Sequence, residues 1–216
     1  MIVVLSGRER NTRGDLFDRY FQCHYRVFVR GKGWRVASVN GREVDSYDDE
    51  HAIYFLDLDG PQVAASIRIT PTVKSSLIAD HLPQLIENGE PARAPTIYEC
   101  NRLVMPPSGD NRHNKSSLIG AMLQWCFARR LTHLHMLIDA EALPEYLELT
   151  PLTTPLGLPQ FYGGGPEVPT GGACMAVRWP ICPQLLDDVR RYGQTESDDR
   201  LRGDEVMPRI SSDRIH

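Results

Sequence analysis

Several features that identify common classes of protein are missing from this sequence of 216 residues. Its five cysteines, at positions 23, 100, 126, 174 and 182, form no CxxC pair, so neither a disulfide framework nor a zinc cage is expected. No apolar run is long enough to cross a bilayer, and the N-terminal run is too short for a signal peptide. The phosphate-binding patterns GxGxxG and GxxxxGK[ST] do not occur. We therefore expect a cytoplasmic protein that does not interact with membranes.

The chain also has no excess of positive charge. Its 24 Lys and Arg residues against 28 Asp and Glu residues give a formal net charge of -4, so nucleic acid is not an expected partner. A hydrophobic fraction of 41% is typical of a folded protein, and the length suits one core. We place a single domain at residues 1–185. The charged segment 186–216 holds few apolar residues, so we expect a poorly ordered tail.

Apolar spacing along the chain predicts an α/β fold. Helical spacing predicts helices at 15–29, 78–89, 116–130 and 141–149. Short apolar or alternating runs predict strands at 51–57, 62–70, 96–104, 131–139 and 173–179. The polar stretch 34–49 has neither period, and a long loop inside a compact domain usually carries function. This order indicates a sheet with helices packed on both faces.

Charged residues occur in the long polar loop and inside two strands that are otherwise apolar. The loop segment REVDSYDDEH holds Glu43, Asp45 and Asp48, although a solvated turn also accounts for such a run. Arg68 lies in the apolar strand ASIRIT, and a lone strand arginine is commonly a surface residue. Glu99 and Arg102 interrupt the next strand. Being three apart, they point to opposite faces unless a bulge intervenes, and a buried charge is costly unless it is paired.

The segment SGDNRHNKSS precedes the long helix predicted at 116–130. Ser116 or Ser117 can cap that helix, and Arg112, Lys115 and Ser116 are candidates to meet phosphate groups at the positive end of its dipole. An ordinary capped helix is the simpler interpretation of the same residues.

Taken together, these residues have a recognisable order and spacing, which comprises Phe28, Trp34, Glu43, Asp45, Asp48, Arg68, Glu99 and Arg102. The order resembles the LuxI-type acyl-homoserine-lactone synthases over roughly residues 15–180. The segment PLGLPQFYGG is similar to the subgroup that takes branched-chain or aryl acids as coenzyme A thioesters. The resemblance implies an α/β fold of the GNAT type, a three-layer α/β/α sandwich around a mixed, mostly antiparallel twisted sheet.

The resemblance also implies an activity, namely quorum-sensing signal synthesis. An acyl group passes from a thioester to the amine of S-adenosylmethionine, and the product closes to a lactone with release of methylthioadenosine. This chemistry needs no metal and no cofactor beyond its two substrates. We prefer acyl-CoA to an acyl carrier protein as donor, because a basic docking face would rest on Arg93, Arg129 and Arg130 alone. A monomer or weak dimer is expected.

Roles for individual residues follow from the resemblance. Phe28 and Trp34 line the S-adenosylmethionine pocket, while Asp45, Asp48 and Arg68 organise the loop and meet the charged groups of the substrate. Glu99 is the candidate base for the substrate amine, with Arg102 as a second catalytic residue. Candidates for the acyl pocket are Leu82, Leu103, Met105, Leu123, Met136, Ile138 and Leu143. Ordinary core packing is the alternative for each of these seven.

The sequence departs from the family at His24, where the pattern has an arginine four residues before Phe28. We expect His24 to support the acidic loop as a shorter, pH-sensitive partner, with Arg30 as a second candidate for that task. Leu82 stands where the family usually has phenylalanine, which would widen the acyl pocket.

Two other functions remain open on the sequence. A GNAT-like N-acyltransferase would acylate another amine without forming a lactone, although it would leave the segment 34–48 without a purpose. A catalytically lapsed homologue would only bind a ligand or partner, and the change at His24 motivates this reading.

Overall fold

The computed structural model describes residues 1–203 except 88, 90, 91, 106–110 and 166–170, and describes no side chain at 111 or 195–203. Residues 108–110 of the predicted phosphate-facing segment and residues 204–216 of the predicted tail therefore lie outside the described residues. Within the described part, no helix is both long and apolar enough to span a membrane.

Eight of the described strands form one mixed sheet, which is the centre of the fold. They are β1 (Ile2–Ser6), β4 (Ile53–Asp59), β5 (Gln62–Pro71), β6 (Ile97–Val104), β7 (His133–Asp139), β8 (Thr154–Pro155), β9 (Gln160–Tyr162) and β10 (Gly172–Pro180). The order is β1-β4-β5-β6-β7-β10-β8, with β9 also paired to β10. Every pair is antiparallel except β6 and β7, which run parallel. A small separate pair, β2 (Ser38–Val39) and β3 (Arg42–Glu43), lies in the predicted long loop.

Helices cover both faces of the sheet. They are α1 (Gly14–His24), continued by a π-helical segment (Tyr25–Gly31), then α2 (Leu77–His81), α3 (Asn111–Ala128), α4 (Leu143–Leu149) and α5 (Pro183–Gly203). Short 3-10 turns lie at Gly7–Glu9, Pro83–Leu85 and Ala140–Ala142. The predicted α/β sandwich around a mixed, mostly antiparallel sheet is confirmed. Strand β1 was not predicted, because its short apolar run stands alone before a charged segment.

The alternation of β5 separates the largest core from the polar site. Ile67 and Ile69 point into the main core, which lies between the sheet and helices α3 and α5. Arg68, between them, points to the opposite face, where α1 packs. A second core of aromatic and aliphatic residues fills the space under α1; it includes Phe17, Tyr20, Phe21, Tyr54 and Leu56. The polar site therefore sits between the sheet and α1.

Strands β6 and β7 separate along their length. Their pairing runs from Ile97 opposite His133 to Cys100 opposite Met136, whereas β6 continues to Val104 and β7 to Asp139. The sheet thus opens between the C-terminal halves of these two strands. Such an opening exposes backbone N–H and C=O groups that a ligand can use.

The predicted boundary at residue 185 falls inside α5. Leu185, Val189 and Tyr192 are buried in the main core, so the described start of this segment packs against the domain as a helix. The domain boundary and the poor order of the tail stay predictions. These three apolar residues follow helical spacing and form a narrow stripe, which an apolar count over the whole segment misses. Helix packing is close here, because a Cβ on Gly193 would lie 2.0 Å from the Ser116 hydroxyl oxygen.

Candidate active site

A β-bulge in β6 brings the predicted charged residues together. Arg68 of β5 lies opposite Asn101, but Ser66 lies opposite Val104, so two steps along β5 match three along β6. Arg102 occupies the bulge with a φ of 55°, a left-handed conformation that is unusual for a residue with a side chain. The alternation that would separate Glu99 from Arg102 is thereby broken, and both connect to Arg68.

The centre of the site is the buried guanidinium of Arg68. Its Nη1 and Nη2 donate to the two carboxylate oxygens of Asp45 at 2.6 and 3.0 Å, and its Nε donates to Asn101 at 2.8 Å. Nη1 also lies 2.7 Å from Asp48 Oδ1, which accepts a hydrogen bond from the Tyr54 hydroxyl. Burial alone would raise the pKa of Asp45, but Arg68 outweighs it and lowers the pKa to about 2. For Asp48 burial dominates, and its pKa is raised.

Arg102 extends this network towards solvent. Its Nη2 donates to Glu43 Oε1 at 2.6 Å and to Asp45 Oδ2 at 2.9 Å, so Asp45 bridges the two arginines. Glu43 is buried, whereas the side chains of Arg102 and Asp45 are 16% and 21% exposed. The opening of the network to solvent is therefore on the side of Arg102 and Asp45.

His24 closes the network on the α1 side. Its Nε2 lies 3.2 Å from the Ser66 hydroxyl, and its Nδ1 lies 3.4 Å from Glu43 Oε2. Burial lowers the pKa of His24, although Glu43 opposes the shift. The histidine therefore contacts the acidic loop as predicted, as a neutral ring near pH 7. Its role in function stays a prediction.

Glu99 lies at the other end of the network. It is fully buried, and its carboxylate accepts hydrogen bonds from the Ser76 hydroxyl at 2.6 Å and from the backbone N–H groups of Leu77 and Ile78 at 3.1 Å. Asn101 joins it to Arg68. Burial raises the pKa of Glu99, and the hydrogen bonds from Ser76 and Ile78 oppose that shift.

Phe28 and Trp34 form an aromatic wall beside these charges. Their rings stack at 5.3 Å, and the guanidinium of Arg102 lies 4.9 Å from the Phe28 ring. A cavity of about 520 Å³ opens next to Trp34, lined also by Lys32, Asp139, Glu141 and Tyr162. The wall presents aromatic faces that attract cations.

The predicted acyl-pocket residues lie on two faces of the sheet. Leu123, Met136 and Ile138 are buried in the main core, and Leu103, Met105 and Leu143 pack against it. Leu82 instead packs against a third cluster on the other face, formed by Ile78, Leu85, Leu156, Cys174 and Ala176. A single channel lined by all seven residues would have to pass through the sheet. The place for such a passage is the opening between β6 and β7, where the two strands are not paired.

Two of the three predicted phosphate-binding residues, Arg112 and Lys115, have partners on α4. Because α3 begins at Asn111, Ser116 lies inside the helix and is not its N-cap, which corrects that expectation. Lys115 forms a 2.6 Å ion pair with Glu145, and Arg112 pairs with Glu148 at the same distance. These pairs with α4 explain why the helix begins in a polar segment, more than a turn before the start predicted at residue 116.

Sequence reasoning missed four residues of the site, namely Tyr20, Tyr54, Ser76 and Asn101. Asn101 stands two residues after Glu99, so strand alternation alone would have placed the two on one face. Ser76 and the two tyrosines are ordinary cap and core residues in sequence, and only the fold brings them to Glu99, His24 and Asp48.

The fold, with its open sheet and buried charged site, defines an acyltransferase of the GNAT-like class. The model of the autoinducer synthase family matches residues 8–143, so the chain belongs to that family. It is 29% identical over 160 residues to the isovaleryl-homoserine lactone synthase of Bradyrhizobium diazoefficiens, covering 74% of this chain and 73% of that protein.

Solved structures agree with this membership. BjaI, a CoA-dependent acyl-homoserine lactone synthase solved with MTA, superposes with a TM-score of 0.76 at 29% identity over 89% of each chain. The same protein solved with SAM and isopentyl-CoA gives a TM-score of 0.74, with the same identity and coverage. The expected family, fold and enzyme class are therefore confirmed.

Proposed function

We propose that this protein transfers an acyl group from acyl-CoA to the amine of S-adenosylmethionine and then closes the acyl-homoserine lactone, releasing methylthioadenosine. The observation that carries the proposal is the charge of the site beside an aromatic wall. Two arginines, Arg68 and Arg102, face three carboxylates, Glu43, Asp45 and Asp48, which gives a formal charge of -1. S-adenosylmethionine carries one negative group, a carboxylate, and two positive groups, an ammonium and a sulfonium. Its net positive charge is therefore complementary to the net negative charge of the site.

The exposed members of the network are the ones we propose to meet the substrate. Asp45 and Arg102 stand at the opening, with side chains 21% and 16% exposed, and they suit the ammonium and the carboxylate of the methionyl group. Arg68 and Asp48 are buried behind them and hold them in place. Phe28 and Trp34 supply faces for the sulfonium and the adenine ring.

Glu99 is the base in this proposal. The ammonium of the substrate must lose a proton before it attacks a thioester, and a carboxylate with a raised pKa is better matched to that task near neutral pH. Because Glu99 is fully buried, the proton passes from the ammonium of the substrate to the Glu99 carboxylate through a bound water. Asn101 fixes its distance from Arg68.

Acyl transfer and ring closure make different demands on the protein. The oxyanion of the tetrahedral intermediate needs donors, which we assign to backbone N–H groups where β6 and β7 separate. In the second step the carboxylate of the methionyl group attacks its own γ-carbon, and the γ-carbon–sulfur bond breaks. That closure depends on the conformation in which the methionyl chain is held, so the same ion network serves both steps.

Coenzyme A is the proposed acyl carrier. The similarity to BjaI, described as CoA-dependent and solved with isopentyl-CoA, supports a short branched acyl group. The acyl chain then lies at the opening of the sheet, against Leu103, Met105, Met136 and Ile138. A cytoplasmic location and independence from metals belong to the same proposal.

The test is to incubate the purified protein with S-adenosylmethionine and a panel of branched, aryl and straight-chain acyl-CoA thioesters, and to identify products by mass. We expect a homoserine lactone, made fastest from a branched or aryl donor. Arg102→Met should abolish it, whereas Arg42→Met, which alters the exposed pair with Asp18, should not. Consumption of acyl-CoA with a different acylated amine would support the N-acyltransferase instead, and no consumption with any donor would support a binding protein.

A further inference from the structure

The hydroxyl group of Tyr20 lies inside the site without a hydrogen-bond partner. Tyr20 is fully buried on α1, and its ring packs against His24 at 4.0 Å and Tyr54 at 4.9 Å. Its hydroxyl oxygen makes no hydrogen bond. By contrast, the neighbouring hydroxyl of Tyr54 donates to Asp48 at 3.2 Å. Phenylalanine would satisfy the packing of position 20 equally well, so packing does not account for the hydroxyl.

The surroundings of this hydroxyl are the charged groups of the network. Burial raises the pKa of Tyr20, and the Asp48 carboxylate adds to the shift while the guanidinium groups of Arg68 and Arg102 oppose it. Both ring neighbours of Tyr20 contact these charges, since His24 Nδ1 lies 3.4 Å from Glu43 Oε2 and the Tyr54 hydroxyl lies 3.2 Å from Asp48 Oδ1, so Tyr20 lies beside the network. A buried polar group without a partner is unfavourable, and that state is relieved only when another molecule supplies the missing partner.

Arg102 has a donor in the same condition. Its Nη2 is taken by Glu43 and Asp45, but its buried Nε makes no hydrogen bond. All three nitrogens of Arg68 already donate to Asp45 or Asn101. Beside the Arg68 network, the Tyr20 hydroxyl and Arg102 Nε are therefore two donors without an acceptor. A carboxylate can accept hydrogen bonds from two donors at once.

We propose that Tyr20 is a substrate-binding residue, whose hydroxyl, together with Arg102, donates a hydrogen bond to the carboxylate of the methionyl group of S-adenosylmethionine. This rests on the proposed function. Binding the carboxylate also sets the direction from which it attacks the γ-carbon, so Tyr20 acts on lactone closure as well as on binding.

The experiment compares Tyr20→Phe with Tyr54→Phe, which removes a hydroxyl that has a partner. Binding of S-adenosylmethionine and of decarboxylated S-adenosylmethionine is measured by calorimetry, and thermal unfolding is measured without ligand. For Tyr20→Phe we expect S-adenosylmethionine to bind about tenfold more weakly or worse, with the decarboxylated compound unaffected. Its melting temperature should equal or exceed that of the unchanged protein, while that of Tyr54→Phe should fall.

Each other result contradicts the inference. Equal loss for both ligands means that the hydroxyl does not contact the carboxylate, and unchanged affinity for both means that it contacts neither. A lower melting temperature for Tyr20→Phe means that the hydroxyl has a structural partner. If the unchanged protein fails to bind S-adenosylmethionine, the proposed function itself is wrong and this inference falls with it.

Discussion

Asp45 holds Arg68 through both of its carboxylate oxygens, at 2.6 and 3.0 Å. The pair joins a residue of the loop before β4 to a residue of strand β5 in the central sheet. Because Asp45 also bridges to Arg102, the position of the loop and the position of the bulge depend on one carboxylate. This arrangement leads to predictions for stability and for catalysis.

Breaking the buried pair should be costly. Arg68→Met leaves Asp45 and Asp48 without their main partner in a buried site, and we expect the free energy of unfolding to fall by about 3–5 kcal/mol. The matched control is Arg42→Met, because the Arg42–Asp18 pair is far more exposed and should cost no more than about 1 kcal/mol. Urea unfolding of the two variants makes the comparison; similar losses would show that the Arg68 network adds no more to stability than an exposed ion pair.

The left-handed backbone at Arg102 should be visible in a pair of variants. Arg102→Gly and Arg102→Ala both remove the guanidinium, so both should lose lactone synthesis. The φ of 55° at this position is unfavourable for alanine but not for glycine, so the glycine variant should be more stable by about 1 kcal/mol. Equal free energies of unfolding in urea would mean that the bulge relaxes when the side chain is removed.

His24 should make stability depend on pH. Burial lowers its pKa in the folded protein, so the unfolded chain binds the proton more readily. The stability from a neutral His24 is therefore present above its unfolded pKa of about 6.5, and is lost as pH falls below that value through the folded pKa. Asp48 and Glu99 have raised pKa values in the folded protein, so their contribution to stability changes in the opposite direction and falls as pH rises.

The difference between unchanged protein and His24→Gln isolates this contribution. We expect the stability of the unchanged protein to fall more steeply than that of the variant as pH is lowered from 7 to about 5. We also expect a higher Michaelis constant for S-adenosylmethionine in His24→Ala. Parallel stability curves, or an unchanged Michaelis constant, would remove His24 from its supporting role.

Glu99 should control the acid limb of the pH–rate profile. Glu99→Gln should lower kcat about 10²- to 10⁴-fold, as expected for loss of a general base. Ser76→Ala removes a hydrogen bond that lowers the pKa of Glu99, so the acid limb of kcat/KM should move to higher pH while activity at alkaline pH is largely kept. An acid limb that does not move in Ser76→Ala would indicate that another group is the base.

Phosphate binding by Arg112 can be separated from its role in packing. Arg112→Met and Glu148→Gln both break the pair between α3 and α4. If Arg112 meets the phosphates of coenzyme A, only Arg112→Met raises the Michaelis constant for acyl-CoA, by about tenfold for one lost charged hydrogen bond. Equal effects of the two variants would assign Arg112 to packing.

Much of the site is readable from the sequence because charged residues in apolar strands are costly unless paired. Arg68 and Glu99 stand out for that reason, and the acidic loop supplies the opposite charge. The spacing of Glu99 and Arg102 indicated either opposite faces or a bulge, but it could not decide between them. That choice depends on register with β5, which is a property of two strands together.

Other features depend on contacts distant in sequence. Lys115 and Glu145 are 30 residues apart, and neither position alone indicates that α3 begins early. The stripe of Leu185, Val189 and Tyr192 is short, so the charged composition around it suggested disorder. Tyr20 looked like one more aromatic residue of a buried helix face, since an unpartnered hydroxyl can be recognised only in three dimensions.

The most direct test of the central claim is the stoichiometry of the products. Purified protein is given S-adenosylmethionine and an acyl-CoA, and free coenzyme A, methylthioadenosine and lactone are measured over the same time course. The account predicts that all three accumulate in equal amounts, because each acyl transfer to the amine is followed by closure of the lactone. Coenzyme A released without methylthioadenosine would contradict it, since the acyl group would then pass to a product that does not close.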